Sequence, residues 1–170
     1  MSIAGQASAP IRHADRFFIG GQWVAPSSDA TIKVIDPGTE ELYFTVAEAQ
    51  AADIARAVGA AREAFDNGPW PRLTHQQRAD YLRALAAEVR KTGDDVAQVW
   101  PREAGVIYPM AKFAASGAAA SFDYYADLAA AFPWEEPSRP ARGGFGLLVR
   151  EPAGVVGRSS RGTRRCRRSA

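Results

Sequence analysis

Residues 17–24, FFIGGQWV, and residues 31–46, TIKVIDPGTEELYFTV, decide the reading of this 170-residue chain. In the first stretch two apolar runs flank Gly20-Gly21. A two-residue primed turn needs positive φ at its centre, which glycine adopts without steric cost, so the pattern predicts a β-hairpin. In the second, Ile32, Val34 and Ile35 form a β-rich run closed by Asp36-Pro37-Gly38. Proline presets φ and aspartate bonds the backbone ahead of it, so that tripeptide predicts a turn. Leu42 to Val46 then returns as another strand.

Outward from these strands the period changes to that of a helix. Ile54, Val58, Ala61 and Phe65 recur at four, three and four residues and predict one apolar helix face. Asn67-Gly68-Pro69 ends that helix. Thr74 and Gln77 have capping-box spacing, which opens a second helix that buries Tyr81, Leu82, Leu85 and Val89 and stops near Gly93. Asp94 is expected to cap a third helix carrying Val96, Val99 and Trp100. An alanine-rich stretch from Met110 to Ala131 predicts a fourth, anchored by Phe113, Phe122, Tyr125 and Leu128, whose alanines permit close packing. Residues 133–144 are expected as a loop, Phe145–Val149 as a strand, and Val155-Val156-Gly157 as the start of another. Strands and helices together give an α/β chain with no internal repeat.

The composition is that of an ordinary globular protein, 46% hydrophobic and 24% charged. No apolar run approaches the roughly 18 residues of a membrane span, and residues 1–10 lack the flanks of a signal peptide. One cysteine cannot form an internal disulfide. These features predict a cytoplasmic protein that does not engage membranes. Residues 1–15 are expected to be a mobile N-terminal segment. The net charge of +2 conceals an asymmetry. Residues 158–170 hold six arginines and no acid, which leaves fifteen basic and nineteen acidic residues before them, a net of −4. An acidic body ends in a basic tail.

Catalytic and ligating patterns are sparse. His13 and His75 have no cysteine or carboxylate at ligand spacing and are expected to be solvated or capping groups. No HExxH, CxxC or GxSxG occurs. Gly143-Gly144-Phe145-Gly146 lacks the lysine, the preceding strand and the following helix of a phosphate cradle, and reads as a turn. Glu135-Glu136 is expected to be solvated. Cys166, between Arg165 and Arg167, has a setting that lowers a thiol pKa but no base to serve a nucleophile, and reads as incidental. The tail's arginines suggest, as the alternative function, nucleic-acid binding by phosphate neutralisation. The tail has no aromatic residue for stacking.

Taken in order, several of these segments resemble the N-terminal part of the NAD(P)-dependent aldehyde dehydrogenase superfamily. The residues are 17–24, then Val34-Ile35-Asp36-Pro37-Gly38-Thr39-Glu40, Ala60-Ala61-Arg62-Glu63-Ala64-Phe65, Trp70-Pro71, Arg78, Glu103-Ala104-Gly105 and Arg150-Glu151-Pro152-Ala153-Gly154-Val155-Val156-Gly157. The resemblance spans about residues 16–157 and stops abruptly. It implies oxidation of an aldehyde to an acid with NAD or NADP. A cysteine thiolate attacks the carbonyl, hydride leaves to the nicotinamide, and a glutamate-activated water releases the product. In the family those groups and the cofactor turn follow the position of residue 157. The doubly wound cofactor-binding sheet would therefore be cut off at its start. No catalytic and no cofactor-binding residue is assigned, and this chain is expected to bind neither cofactor and to be inactive alone. The resemblance also implies a monovalent-cation site formed by main-chain oxygens of Val34 and Ile35 and the side chain of Glu103. Read without the resemblance, the same residues are strand core and a helix-end charge, the plainer of the two readings. It implies, too, that the N-terminal strands contact full-length dehydrogenase subunits.

The departure at residue 158 has a reading in the genetic code. In the family, Gly-Val-Val-Gly runs into a segment like A-I-I-P-W-N; here Arg158-Ser159-Ser160-Arg161-Gly162-Thr163 follows. With Arg as CGN, Ser as TCN, Gly as GGN and Thr as ACN, one added base in front gives xCG, NTC, NTC, NCG, NGG, NAC. These codons permit Ala, Ile, Ile, Pro, Trp and Asn. The same frame through Arg164, Arg165, Cys166 and Arg167 permits Ala, Pro, Leu and Pro. A one-base deletion near codon 158 is expected, with residues 158–170 out of frame.

Overall fold

The computed structural model describes residues 9–158; the expectations for Cys166, for residues 1–8 and for residues 159–170 of the basic tail lie outside that range. The chain opens with two hairpins. Strands β1 (Phe17–Ile19) and β2 (Gln22–Val24) pair antiparallel, Phe17 opposite Val24. Gly20 and Gly21 sit at φ of 60° and 80°, the primed turn that the Gly-Gly pair predicts. Strands β3 (Thr31–Ile35) and β4 (Leu42–Ala47) pair antiparallel with an irregularity between Val34 and Ile35. Their connection is tied by Asp36: its Oδ1 accepts from the Gly38 amide at 2.9 Å and its carbonyl from the Glu40 amide at 2.8 Å.

Four helices follow: α1 (Ala51–Asp66), α2 (His75–Lys91), α3 (Gly93–Ala104) and α4 (Tyr108–Ala131), with a 3-10 turn at Trp70–Arg72. The capping box of α2 is as the sequence predicts: Gln77 N donates to Thr74 Oγ1 at 3.2 Å, and Thr74 N to Gln77 Oε1 at 2.9 Å. Helix α3 differs. Thr92 is its N-cap and Asp94 lies inside the first turn, because α2 and α3 are separated by a single residue that serves both.

The core lies where α4 meets α2 and α3, and it is made of alanine. Ala79 and Ala86 of α2, Ala97 of α3, and Ala111, Ala115, Ala119 and Ala126 of α4 are buried. Their spacing of four and seven residues forms one stripe on α4, and small side chains let helix backbones approach. At the α2–α3 junction a Cβ built on Gly93 would lie 3.7 Å from Ala115 Cβ. This close seam displaces the expected anchors. Tyr81, Leu85 and Tyr125 are exposed, Phe113 is 80% exposed, and Leu82, Val89, Phe122 and Leu128 are half-buried. Ion pairs flank the seam: Arg83 with Asp127 at 3.0 Å, and Arg90 with Asp123. The predicted apolar face of α1 is also open, with Ile54 and Val58 exposed.

Residues 133–144 are not a continuous loop. Strand β5 (Glu135–Ser138) pairs antiparallel with β6 (Gly146–Val149), Glu135 opposite Val149. Pro137 is tolerated because a two-stranded sheet consists of edges, where a missing N–H breaks no interior ladder. Glu136 is paired with Arg150, while Glu135 is exposed. Residues 150–158 form no strand. A strand needs a hydrogen-bonded neighbour, and no described strand lies beside Val155-Val156-Gly157.

Three separate two-stranded sheets and an alanine seam leave much apolar surface uncovered. The whole chain presents 13769 Å², whereas a compact monomer of this mass presents about 8,100 Å². Granting the undescribed residues their fully extended value of about 3,000 Å² does not close the gap.

Candidate functional site

Among the described residues, the ion pair joining the elements most distant in sequence lies at the junction of β3 with α3. Helix α3 ends at Gly105, whose φ of 70° is the left-handed C-cap, and a Cβ there would lie 3.4 Å from Pro37. That approach sets Arg102 in the last turn of α3 against Asp36 just after β3. Arg102 Nε donates to Asp36 Oδ2 at 2.7 Å, and its guanidinium lies 3.8 Å from the centre of the Tyr43 ring on β4. Asp36 is 6% exposed. Arg102 first, then the Gly38 amide, holds its carboxyl below the ordinary value of 3.8, against burial. Asp36 in turn raises the Arg102 guanidinium.

This ion pair brings the expected cation-site segments to the same junction. Val34 and Ile35 directly precede Asp36, and Glu103 directly follows Arg102. Val34 is half-buried, Ile35 exposed, and Glu103 exposed. The Glu103 side chain lines a cleft with Asp95, Val96, Val99 and Trp100 along α3 and with Pro10 and Ile11. The charge beside Asp36 at this junction is a guanidinium. Among the described residues no group of three or more His, Cys, Asp or Glu side chains gathers around one point.

A second polar cluster centres on Asp53, 2% exposed at the start of α1. Its carboxylate accepts from the Gln50 amide at 2.9 Å, the Ser27 amide at 2.9 Å, Ser27 Oγ at 2.7 Å and Arg56 Nη2 at 2.5 Å. Arg56 also donates to the Ala25 carbonyl at 2.9 Å. The Gln50 amide bond, then those from Ser27 and Arg56, lower its pKa to about 2 despite burial. A carboxylate saturated by four donors holds the 25–28 segment to α1; it is not poised to move a proton. Sequence reasoning missed both clusters. Asp53 at the third position of a helix was a visible signal, but Ser27 lies 26 residues away and Arg102 lies 66 from Asp36.

The histidines are held by rings. His13 lies 4.6 Å from Trp23, and His75 stacks on Trp134 at 3.8 Å. A dinucleotide cradle would need a glycine turn between a strand and a helix. The direct strand-to-helix junction among the described residues, β4 to α1, crosses Glu48-Ala49-Gln50 without glycine, and Gly143–Gly146 connects β5 to β6.

The arrangement of hairpins and helices is that of a known α/β enzyme fold. It superposes on the Mycobacterium tuberculosis aldehyde dehydrogenase complexed with NAD+ at a TM-score of 0.74 and 34% identity, over 81% of this chain and 29% of that one. Residues 23–158 match the model of the aldehyde dehydrogenase family, and the chain belongs to that family. It is 35% identical over 143 residues to aldehyde dehydrogenase family 2 member C4 of Arabidopsis thaliana and 38% identical over 142 residues to geranial dehydrogenase of Castellaniella defragrans. These cover 84% and 82% of this chain but 28% and 30% of the relatives, so the chain spans under a third of their length.

Proposed function

We propose that this sequence comes from an NAD(P)-dependent aldehyde dehydrogenase whose reading frame shifts near codon 158, and that residues 16–157 form part of the scaffold and not the catalytic centre. The observation that carries this reading is the coincidence of two boundaries inside the chain. The family match ends at residue 158, and from residue 158 onward a one-base shift permits A-I-I-P-W-N across six consecutive codons. The intact enzyme takes NAD or NADP and oxidises an aldehyde to a carboxylic acid. The chain as it stands binds neither cofactor and oxidises no aldehyde. A cytoplasmic location is part of this proposal. Separately, no helix of the described residues is long and apolar enough to cross a membrane.

The test begins with the gene. Sequencing genomic DNA through codons 150–180 is expected to give, on insertion of one base, A-I-I-P-W-N followed by a long open frame. A sequence that permits no such frame refutes the proposal. Expression of both versions completes it: the restored frame reduces NAD+ or NADP+ in the presence of aldehydes, and the 170-residue chain does not. We further propose that the chain's N-terminal strands contact full-length subunits; co-expression with the restored-frame protein and co-purification tests this.

A further inference from the structure

At one end of the α2–α4 seam the 3-10 turn, the first turns of α2, the last turns of α4 and the residues entering β5 form a half-open cavity of about 340 Å³. That volume lies within the range of small-molecule sites, about 300–1,000 Å³. Its walls are apolar and half aromatic. His75 and Trp134 are stacked with planes 4° apart, and Phe132 meets Trp134 at 4.7 Å. The indole N–H of Trp134 is already committed to the Ala129 carbonyl at 3.0 Å, so that ring offers the cavity only an apolar face. Trp70 and Tyr125 add two more rings, and Ala79, Leu82, Leu128 and Ala129 supply the aliphatic remainder of the wall.

One full charge stands in this apolar wall. Arg78, half-buried, donates Nε to the Trp70 carbonyl at 3.3 Å and Nη2 to the Pro71 carbonyl at 3.0 Å. Both acceptors are neutral. Arg56, Arg83, Arg90 and Arg102 each meet a carboxylate; no described carboxylate pairs with Arg78. The two carbonyls fix the plane of the guanidinium, so an incoming anion meets a preorganised donor. A cation beside low-dielectric walls attracts an anion more strongly than one in open solvent, and a guanidinium matches the two oxygens of a carboxylate.

From the unpaired guanidinium and the flat apolar wall we infer that this cavity binds a monocarboxylate with a small aromatic body. The carboxylate sits on Arg78 and the ring lies against Trp134 and Phe132. This inference is independent of the proposed frame shift.

Tryptophan fluorescence of the 170-residue chain tests it with phenylacetate and its neutral isostere phenylacetamide. Phenylacetate is expected to give a saturable change, with a dissociation constant lower than that of phenylacetamide by at least about tenfold, the worth of one charge-assisted hydrogen bond. The double substitution W70F/W134F is expected to remove most of the signal and W23F, outside the cavity, to keep it. R78Q removes the preference for the anion, and R78K retains part of it. Equal affinity for the two ligands in the unaltered chain, or no saturable change with phenylacetate, overturns the inference without any variant. An unchanged preference in a folded R78Q overturns it as well.

Discussion

Replacing Ala119 by Leu and, separately, Phe113 by Ala sets two accounts of α4 against each other. Hydrophobic size makes Phe113 an anchor, and removing a buried phenylalanine costs about 3–5 kcal/mol. The structure leaves Phe113 80% exposed and Ala119 1% exposed. On that geometry F113A costs no more than about 0.5 kcal/mol, the usual range for a surface change. Leucine at 119 places three further carbons in a seam where the helices approach on alanine side chains. Helix propensity hardly distinguishes alanine from leucine, so the cost is one of overpacking, about 1–3 kcal/mol. With a urea dependence of about 2 kcal/mol per molar, the middle of that range lowers the unfolding midpoint by about 1 M. A118L, one residue along and exposed, is the control and leaves the midpoint in place. Urea unfolding followed by circular dichroism at 222 nm reads all three. If F113A falls further than A119L, or A118L falls as far, α4 does not pack through its alanine stripe.

T74A removes the hydroxyl that accepts the Gln77 amide and is expected to cost about 1 kcal/mol in the same urea assay, with T74S restoring it; no loss in T74A refutes the cap. Asp53 has a folded pKa of about 2 against an ordinary 3.8, so the folded state binds fewer protons than the unfolded state in that window. Its contribution is complete above pH 3.8 and is lost as pH falls through about 2. D53N is therefore expected to be less stable at pH 7 and to show a shallower acid slope, the remainder belonging to Asp36, which is shifted in the same direction; an unchanged slope contradicts the four-donor geometry. Hydrogen exchange is expected to be slowest at α2 and α4 amides around Ala86 and Ala119, and fast in the three-residue strands of β1 and β2, since isolated hairpins are marginal. Equal protection of hairpin and seam counts against that ranking.

Local signals were legible wherever the chemistry of one segment sufficed. Gly20-Gly21 specifies its turn because only the backbone of those two residues is at issue, and Thr74 with Gln77 specifies a cap within one helical turn. The burial pattern was not legible in the same way. Periodicity identifies an apolar face, but it does not say whether a neighbour covers that face. On α4 the stripe that packs is formed by the smallest side chains, so ranking residues by hydrophobic size selected Phe113 and Tyr125 over Ala115 and Ala119. Strand β5 was missed because Trp-Glu-Glu-Pro-Ser has neither alternation nor β-branched residues; its pairing comes from β6, eight residues further along. The Asp36–Arg102 pair joins positions 66 residues apart, which the local signals of one sequence do not connect. The family resemblance was legible because it depends on the order of many short motifs and not on any one contact.

The open faces and the family match explain each other. A chain that buries chiefly alanine gains little transfer free energy per residue, since each alanine removes only a methyl group from water. Ile54, Val58, Phe113 and Tyr125, the residues with the most to gain, are exposed. Yet Ile54 and Val58 stand at helical spacing, as they would if further structure covered them. The relatives are more than three times as long as the matched region, so the same fold in them has ample chain to supply that cover. Stability measured on these 170 residues therefore reports the α2–α3–α4 seam and its caps; if the added chain of a full-length family member covers these faces, the same substitutions at Ile54 or Phe113 act there on an interface. F113A made in both settings separates the two: near neutrality in this chain with a loss of about 3 kcal/mol or more in the long form marks Phe113 as a residue whose partner lies beyond the described fold, and neutrality in both marks it as surface.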